Sequence, residues 1–203
     1  MGFYDDFILP RLIDLAMRNK QLLPFRERVI GAAEGRVLEI GVGSGRNLPF
    51  YRPPAQEILA LEPSPKLVAM ARGASHPGMP VKFLEASAET IPLDDGSIDT
   101  AVTTWTLCSI PQAAVALAEL RRVLRPGGKL LFVEHGRAPD EGVRRWQDRL
   151  TPIWRRCGGG CHLNRPIRSM LEGAGFRIER IETGYIPGPK PMSFMYEGSA
   201  RPQ

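Results

Sequence analysis

Three groups of residues carry side chains and spacings able to do chemistry. The first is Glu39-Ile40-Gly41-Val42-Gly43-Ser44-Gly45, with glycines on alternate positions directly after a short apolar run. Glycine lets the backbone turn sharply and lets a ligand approach it with no Cβ in the way. Arg46 to Tyr51 can then start a helix whose free N–H groups face the same ligand. Strand, glycine turn and helix start together make a nucleotide-type pocket. The second group is Thr104-Trp105-Thr106-Leu107-Cys108 together with Glu134-His135. His135 is the candidate catalytic base, because imidazole ionises near neutrality. Trp105 can face a cation or wall off a substrate. The third group is Cys157, Cys161-His162 and Asn164. Cys157, Cys161 and His162, with His135 as a further candidate, are the residues that could bind zinc. C-x-x-x-C-H is not a standard ligand spacing, however, and adjacent Cys and His rarely both reach one ion, so no metal is expected.

These residues need a frame, and the apolar pattern supplies one. Arg36 to Ile40, Glu57 to Leu61, Val81 to Leu84, Ser97 to Thr104 and Lys129 to Glu134 read as strands. Pro65 to Arg72 and Gln112 to Leu124 read as helices, the second stopped by Arg125-Pro126-Gly127-Gly128. That alternation predicts a parallel sheet covered on both faces, with ligand at the switch point beside the first strand. Two late strands with no helix between them, Phe176 to Glu182 and Met192 to Gly198, predict an antiparallel pair at an edge. The tail from Ser199 is expected to fray.

Residues 1–34 read as N-terminal helices able to act as a lid, with Pro10 splitting the amphipathic stretch Phe3 to Met17. Residues 138–168 read as a helical insert near the substrate pocket, with Val143, Trp146, Leu150 and Ile153 on one stripe and Trp146 and Trp154 turned to the core. A chain of 203 residues is expected to be one domain, residues 1–203. Hydrophobic residues at 43% and charged residues at 24% place it among ordinary globular proteins. The net charge of +5 leaves a basic helix able to lie on an anionic membrane; its tryptophans, read as core residues, argue against a nucleic-acid partner. Three cysteines, and Asp5-Asp6 instead of a basic stretch ahead of the first apolar run, predict free thiols in the cytoplasm.

The glycine spacing departs from the dinucleotide fingerprint G-x-G-x-x-G, because Arg46 stands where its third glycine belongs. A nicotinamide-dependent oxidoreductase is disfavoured for that reason. The run E-x-G-x-G-x-G, with Leu61-Glu62-Pro63-Ser64, Ala86-Ser87-Ala88-Glu89 and Leu124-Arg125-Pro126-Gly127-Gly128, resembles the class I S-adenosylmethionine-dependent methyltransferases. The resemblance covers nearly the whole chain. It implies a three-layer, Rossmann-like α/β fold with a mostly parallel seven-stranded sheet and an antiparallel edge strand. It implies S-adenosyl-L-methionine as cofactor, held by Glu39, Gly41, Gly43, Gly45, Glu62, Pro63, Ser87, Ala88, Glu89 and Thr104. Glu62 would grip the ribose hydroxyls, Glu39 would organise the loop, and Ser87 or Ala88 would border the adenine. In the family an Asp often stands at the position of Ser87. The runs Thr106-Leu107-Cys108-Ser109-Ile110, Glu134-His135 and Gly160-Cys161-His162-Leu163-Asn164-Arg165 are similar to those of the membrane-bound alkyl-thiol S-methyltransferases. More general relatives are the ubiquinone/menaquinone C-methyltransferases and phospholipid N-methyltransferases. The expected acceptor is therefore small and apolar, a thiol favoured, with His135, Trp105 and Cys108 as the catalytic set. The alternatives are C- or N-methylation of a quinone or lipid precursor, and a non-catalytic cofactor-binding module.

Overall fold

The computed structural model describes residues 4–74 and 78–203. Phe3, where the amphipathic N-terminal stretch begins, lies outside them. A wider-wound turn, Tyr4–Ile8, leads into α1 (Leu9–Ala16), and Pro10 occupies the first turn of α1 at the junction. Helix α2 (Leu23–Ile30) follows. The chain then enters β1 (Gly35–Ile40), β2 (Ala55–Leu61), α3 (Pro65–Arg72), β3 (Val81–Leu84), β4 (Ile98–Thr104), α4 (Ala113–Val123) and β5 (Leu124–His135). Helix α3 starts where its chemistry dictates: the Ser64 hydroxyl accepts from the Leu67 N–H at 3.4 Å and Pro65 opens the first turn. Only a single turn, Leu48–Phe50, stands where a helix was expected after the glycines.

The strands lie in the order β3-β2-β1-β4-β5-β7-β6. β1 to β5 run parallel, and β7 (Phe194–Pro202) pairs antiparallel with both β5 and the outermost strand β6 (Phe176–Tyr185). Alternate side chains face opposite sides of the sheet. Leu38 and Ile40 pack with Leu117 and Leu120 of α4 and Ile167 of α6 (Ile167–Gly173); Val37 packs with Ile30 of α2 and Ala71 of α3. The three layers follow from that alternation. The expected frayed tail is instead strand: Pro202 pairs with Phe176.

Helix α5 (Glu141–Cys157) departs from its expected stripe. Gln147 and Thr151 are buried, whereas Trp146 is 55% and Ile153 66% exposed. The polar Gln147 is inside because three backbone groups need it. Its Oε1 accepts from the Ala138 N–H at 3.0 Å, and its Nε2 donates to the carbonyls of Gly136 at 2.9 Å and Pro191 at 3.1 Å. Helix α1 is turned over in the same sense: Asp14 is buried, and Leu12 and Leu15 are exposed. One helical turn, α7 (Lys190–Ser193), then leads into β7.

Candidate active site

The site is built on the C-terminal ends of β1, β2, β4 and β5. After Ile40 the chain turns through Gly41 and Gly43, both at positive φ, 67° and 56°. A Cβ at Gly41 would sit 2.4 Å from the Thr106 side chain, so this glycine lets the loop after β1 close on the loop after β4. At Gly43 the nearest atom to such a Cβ is the Gly41 carbonyl at 3.9 Å, so the crest of the loop is open. Glu62 stands just past β2 and ties the loop down. Its Oε2 accepts from the Gly43 N–H at 3.1 Å and its Oε1 from the Ser64 N–H at 3.0 Å. Burial pushes its pKa up against these two bonds.

Glu39 lies under the loop and is fully buried. Its Oε1 accepts from Asn47 Nδ2 at 2.6 Å and its Oε2 from the Tyr51 hydroxyl at 2.8 Å. Asn47 also donates to Thr104 Oγ1 at 2.8 Å, and its own oxygen accepts from Arg26 Nε at 2.9 Å. Burial pushes the Glu39 carboxyl up to about 7, against the bonds from Asn47 and Tyr51 and the charge of Arg26. Glu39 and Thr104 are therefore engaged in supporting the loop from below. Arg26, Asn47 and Tyr51 escaped the sequence reading; a carboxylate in mid-strand with Asn and Tyr soon after the glycines was the available signal.

Asp14 also escaped it, because it read as the polar face of α1. Its carboxylate accepts from Ser44 Oγ at 2.6 Å and from Arg46 Nε at 2.8 Å, with Arg18 adding a further bond at 2.8 Å. Burial acts to raise its pKa, but these three partners hold it below the usual range. The N-terminal helix is thus clamped to the glycine loop. A cleft of about 630 Å³ opens beside that clamp, lined by Arg18, Ser44, Gly45 and Met70 among others. Among the described residues, none that lines it comes from the ends of β4 and β5.

Ser87, Ala88 and Glu89 follow β3. Ser87 Oγ donates to Glu89 Oε2 at 3.1 Å and accepts from the Glu89 N–H at 3.2 Å, while Glu89 Oε1 receives the Gln112 N–H at 2.6 Å. Ala88 is buried and Pro63 exposed.

Beyond β4 and β5 a second cluster forms. Trp105 takes φ 50°, an uncommon backbone for a bulky residue. Its ring lies edge-on to Phe25, the Arg26 guanidinium sits 5.1 Å from its centre, and its Nε1 is buried with no partner among the described residues. Glu134 Oε1 accepts from Thr103 Oγ1 at 2.7 Å and from the N–H groups of Thr106 and Leu107, each at 3.1 Å, which fixes the loop carrying Cys108. Burial, then the Cys108 charge, pushes Glu134 up to about 8. Arg165 donates to the carbonyls of Leu107 and Ile110, and His162 Nδ1 lies 3.0 Å from the Cys108 carbonyl. His135 Nε2 is 3.2 Å from Cys161 Sγ, and one donor atom each from Cys108, His135 and Cys161 fall within 4.8 Å of one another. A bond from the Cys161 thiol draws the Cys108 pKa well down, and the same contact pushes Cys161 up; burial acts to lower His135, but the charge and hydrogen bond of Cys108 and the charge of Glu134 together raise it. Cys157, which the sequence set beside Cys161 and His162, is exposed and takes no part in this trio.

Comparison with known proteins follows the same lines. Residues 38–132 match the family model described as a methyltransferase domain. The chain is 36% identical over 173 residues to the thiol S-methyltransferase TMT1B of Homo sapiens, covering 82% of this chain and 69% of that protein. It is 34% identical over 105 residues to the demethylmenaquinone methyltransferase of Thermus thermophilus, covering 50% of this chain and 48% of that protein. A methyltransferase structure from Bacillus halodurans superposes with a TM-score of 0.69 at 16% identity, over 90% of this chain and 99% of that one. The loop fits the cofactor these proteins imply. A carboxylate offers about four acceptor positions, so Glu62, with two in use, keeps room for a ribose diol. The open crest at Gly43 leaves space for the amino-acid end, whose ammonium the loop carbonyls can accept. With sequence identity, family match, sheet order and loop chemistry in agreement, the chain belongs to the class I S-adenosylmethionine-dependent methyltransferases, and S-adenosyl-L-methionine is its cofactor.

Proposed function

We propose that this methyltransferase acts on a small, apolar thiol. The observation that carries the reading is the meeting of Cys108, His135 and Cys161 at the ends of β4 and β5, lined by Leu150, Leu163, Trp154 and Met192. Bound, S-adenosyl-L-methionine supplies a methyl group on a positively charged sulfur. The chain's task is to hold the acceptor in line with that methyl and to exclude water. Glycine loop and Glu62 set the cofactor; Trp105, just past β4 with its ring against Phe25 and Arg26, walls the pocket on that side. His135 is the group placed to take the acceptor's proton, and the Cys108 charge beside it favours the protonated imidazole. The similarity to a demethylmenaquinone methyltransferase supports a second reading, transfer to a quinone carbon or to a lipid amine.

The three cysteines are free, which supports a reducing, cytoplasmic setting. Among the described residues no helix is long and apolar enough to cross a membrane. Exposed Leu12 and Leu15 on α1, with Trp146, Ile153, Arg149 and Arg156 on α5, support peripheral contact with an anionic membrane. Incubation with methyl-labelled cofactor and a panel of alkyl and aryl thiols, a quinol and an amine tests the acceptor. Label is expected in thioethers. Label only on the quinol carbon or the amine would reject a thiol, and no turnover on any acceptor would leave a cofactor-binding module.

A further inference from the structure

We propose that Cys108, His135 and Cys161 form a zinc site whose fourth position receives the sulfur of the methyl acceptor. The inference rests on the thiol reading above and names how the thiol is held.

The three residues reach one point from separate parts of the chain: the loop after β4, the end of β5, and the turn after α5. Their donor atoms lie within 4.8 Å of one another, and His135 Nε2 to Cys161 Sγ is 3.2 Å. Ligands around a tetrahedral zinc are roughly 3.5 Å apart, so small side-chain adjustments complete the geometry. Two sulfurs and one imidazole form a soft donor set, which selects zinc over magnesium or calcium. Three protein ligands with a fourth position open is the pattern of a catalytic rather than a structural zinc site.

Three further features agree. The cluster is braced: Glu134 holds the Cys108 loop by the N–H groups of Thr106 and Leu107, and Arg165 holds it by the carbonyls of Leu107 and Ile110. Buried close by are Glu134 Oε2 and His135 Nδ1, polar atoms with no partner among the described residues. A dication balances the negative charge that two thiolates would bring to this buried place. The apolar shell of Leu150, Leu163, Trp154 and Met192 suits the acceptor's hydrocarbon and keeps water out.

The chemistry balances without an oxidant. The acceptor R–SH binds zinc through sulfur and releases its proton to solvent. That sulfur then forms a bond to the methyl carbon as the bond from methyl to the cofactor's sulfur breaks, its electron pair staying on that sulfur. The thioether product is a weak ligand and leaves. In this arrangement His135 activates the acceptor as a zinc ligand rather than by taking its proton.

The test uses the full chain, reduced and stripped with a chelator, titrated with cobalt(II) as a spectroscopic probe. One equivalent is expected to give tetrahedral visible bands and a sulfur-to-cobalt charge-transfer band. Cys161→Ser and His135→Gln are each expected to weaken binding by more than about tenfold. Cys157→Ser should leave it unchanged, and cofactor affinity serves as the check that each variant is folded. Adding an alkyl thiol is expected to shift the visible bands. No charge-transfer band, or one that survives in Cys161→Ser and His135→Gln, overturns the site. So does metal-free protein that methylates thiols as fast as zinc-loaded protein, although thiol transfer would then stand. Cobalt binding at these residues with no methylation of any thiol would uphold the site and reject the thiol reading.

Discussion

Glu39 shows how one side chain can be legible in role and hidden in surroundings. That a carboxylate in a buried strand organises the following loop could be read from its position before the glycines. Its partners could not: Asn47 and Tyr51 reach it only because the chain folds back through the Leu48–Phe50 turn. The burial has a consequence for pH. The carboxyl's folded pKa of about 7 lies above its ordinary 4.5. A raised carboxyl favours the fold fully below the unfolded pKa, and that favour is lost as pH rises through the folded one. The lost stability is of order 3 kcal/mol between about pH 5 and pH 8. Glu39→Gln keeps an acceptor for Asn47 and removes the titration. Urea unfolding across that range should show the wild-type midpoint falling and the variant's much flatter. Equal slopes in the two proteins would mean that Glu39 is ionised throughout.

Among the elements, strands were the easier to place, because runs buried on both faces announce themselves. β3 and α3 match their expected bounds residue for residue. The orientation of α1 and α5 was not legible. Both are amphipathic, and the periodicity fixes a stripe but not which stripe is turned inward. Asp14 and Gln147 are inside because loops elsewhere need their hydrogen bonds, a tertiary requirement absent from the local pattern. Gln147→Ala should therefore cost roughly 3 kcal/mol by stranding the Gly136 and Pro191 carbonyls and the Ala138 N–H. Trp146→Gln should shift stability by less than about 0.5 kcal/mol. Thermal unfolding of both variants checks the pair; the reverse order would restore the stripe expected from periodicity. The site itself was partly legible: Glu62 and the glycine loop by spacing, His135 and Cys108 as strand-end residues. Cys161 too was legible as a pocket residue of the helical insert; what the sequence did not carry is its direct approach to His135, 3.2 Å across 26 residues of chain.

At the scale of the molecule, α1 and the end of α5 meet: the Tyr4 hydroxyl donates to the Cys157 carbonyl at 2.5 Å, and Leu9 and Ile13 pack at Gly159. Among the apolar side chains left outside, Leu12, Leu15 and Ile153 stand within a few residues of exposed arginines in the sequence. Sedimentation with vesicles should show binding to anionic lipid that salt reverses and that a Leu12→Ser, Leu15→Ser double variant weakens by more than about tenfold. Equal binding to neutral vesicles, or none at low salt, would speak against that contact.

Beneath every step lies the proposal that the cofactor sits at the C-terminal ends of β1 and β2, with its sugar on the carboxylate that already holds the Gly43 N–H. Titration calorimetry with S-adenosyl-L-methionine on the wild type and on Glu62→Ala tests it directly. The expected result is one site in the wild type and a loss of about tenfold or more in affinity in the variant, since hydrogen bonds to a charged group are worth roughly 1.5–3 kcal/mol. Unchanged affinity in Glu62→Ala, with the variant folded, would contradict it.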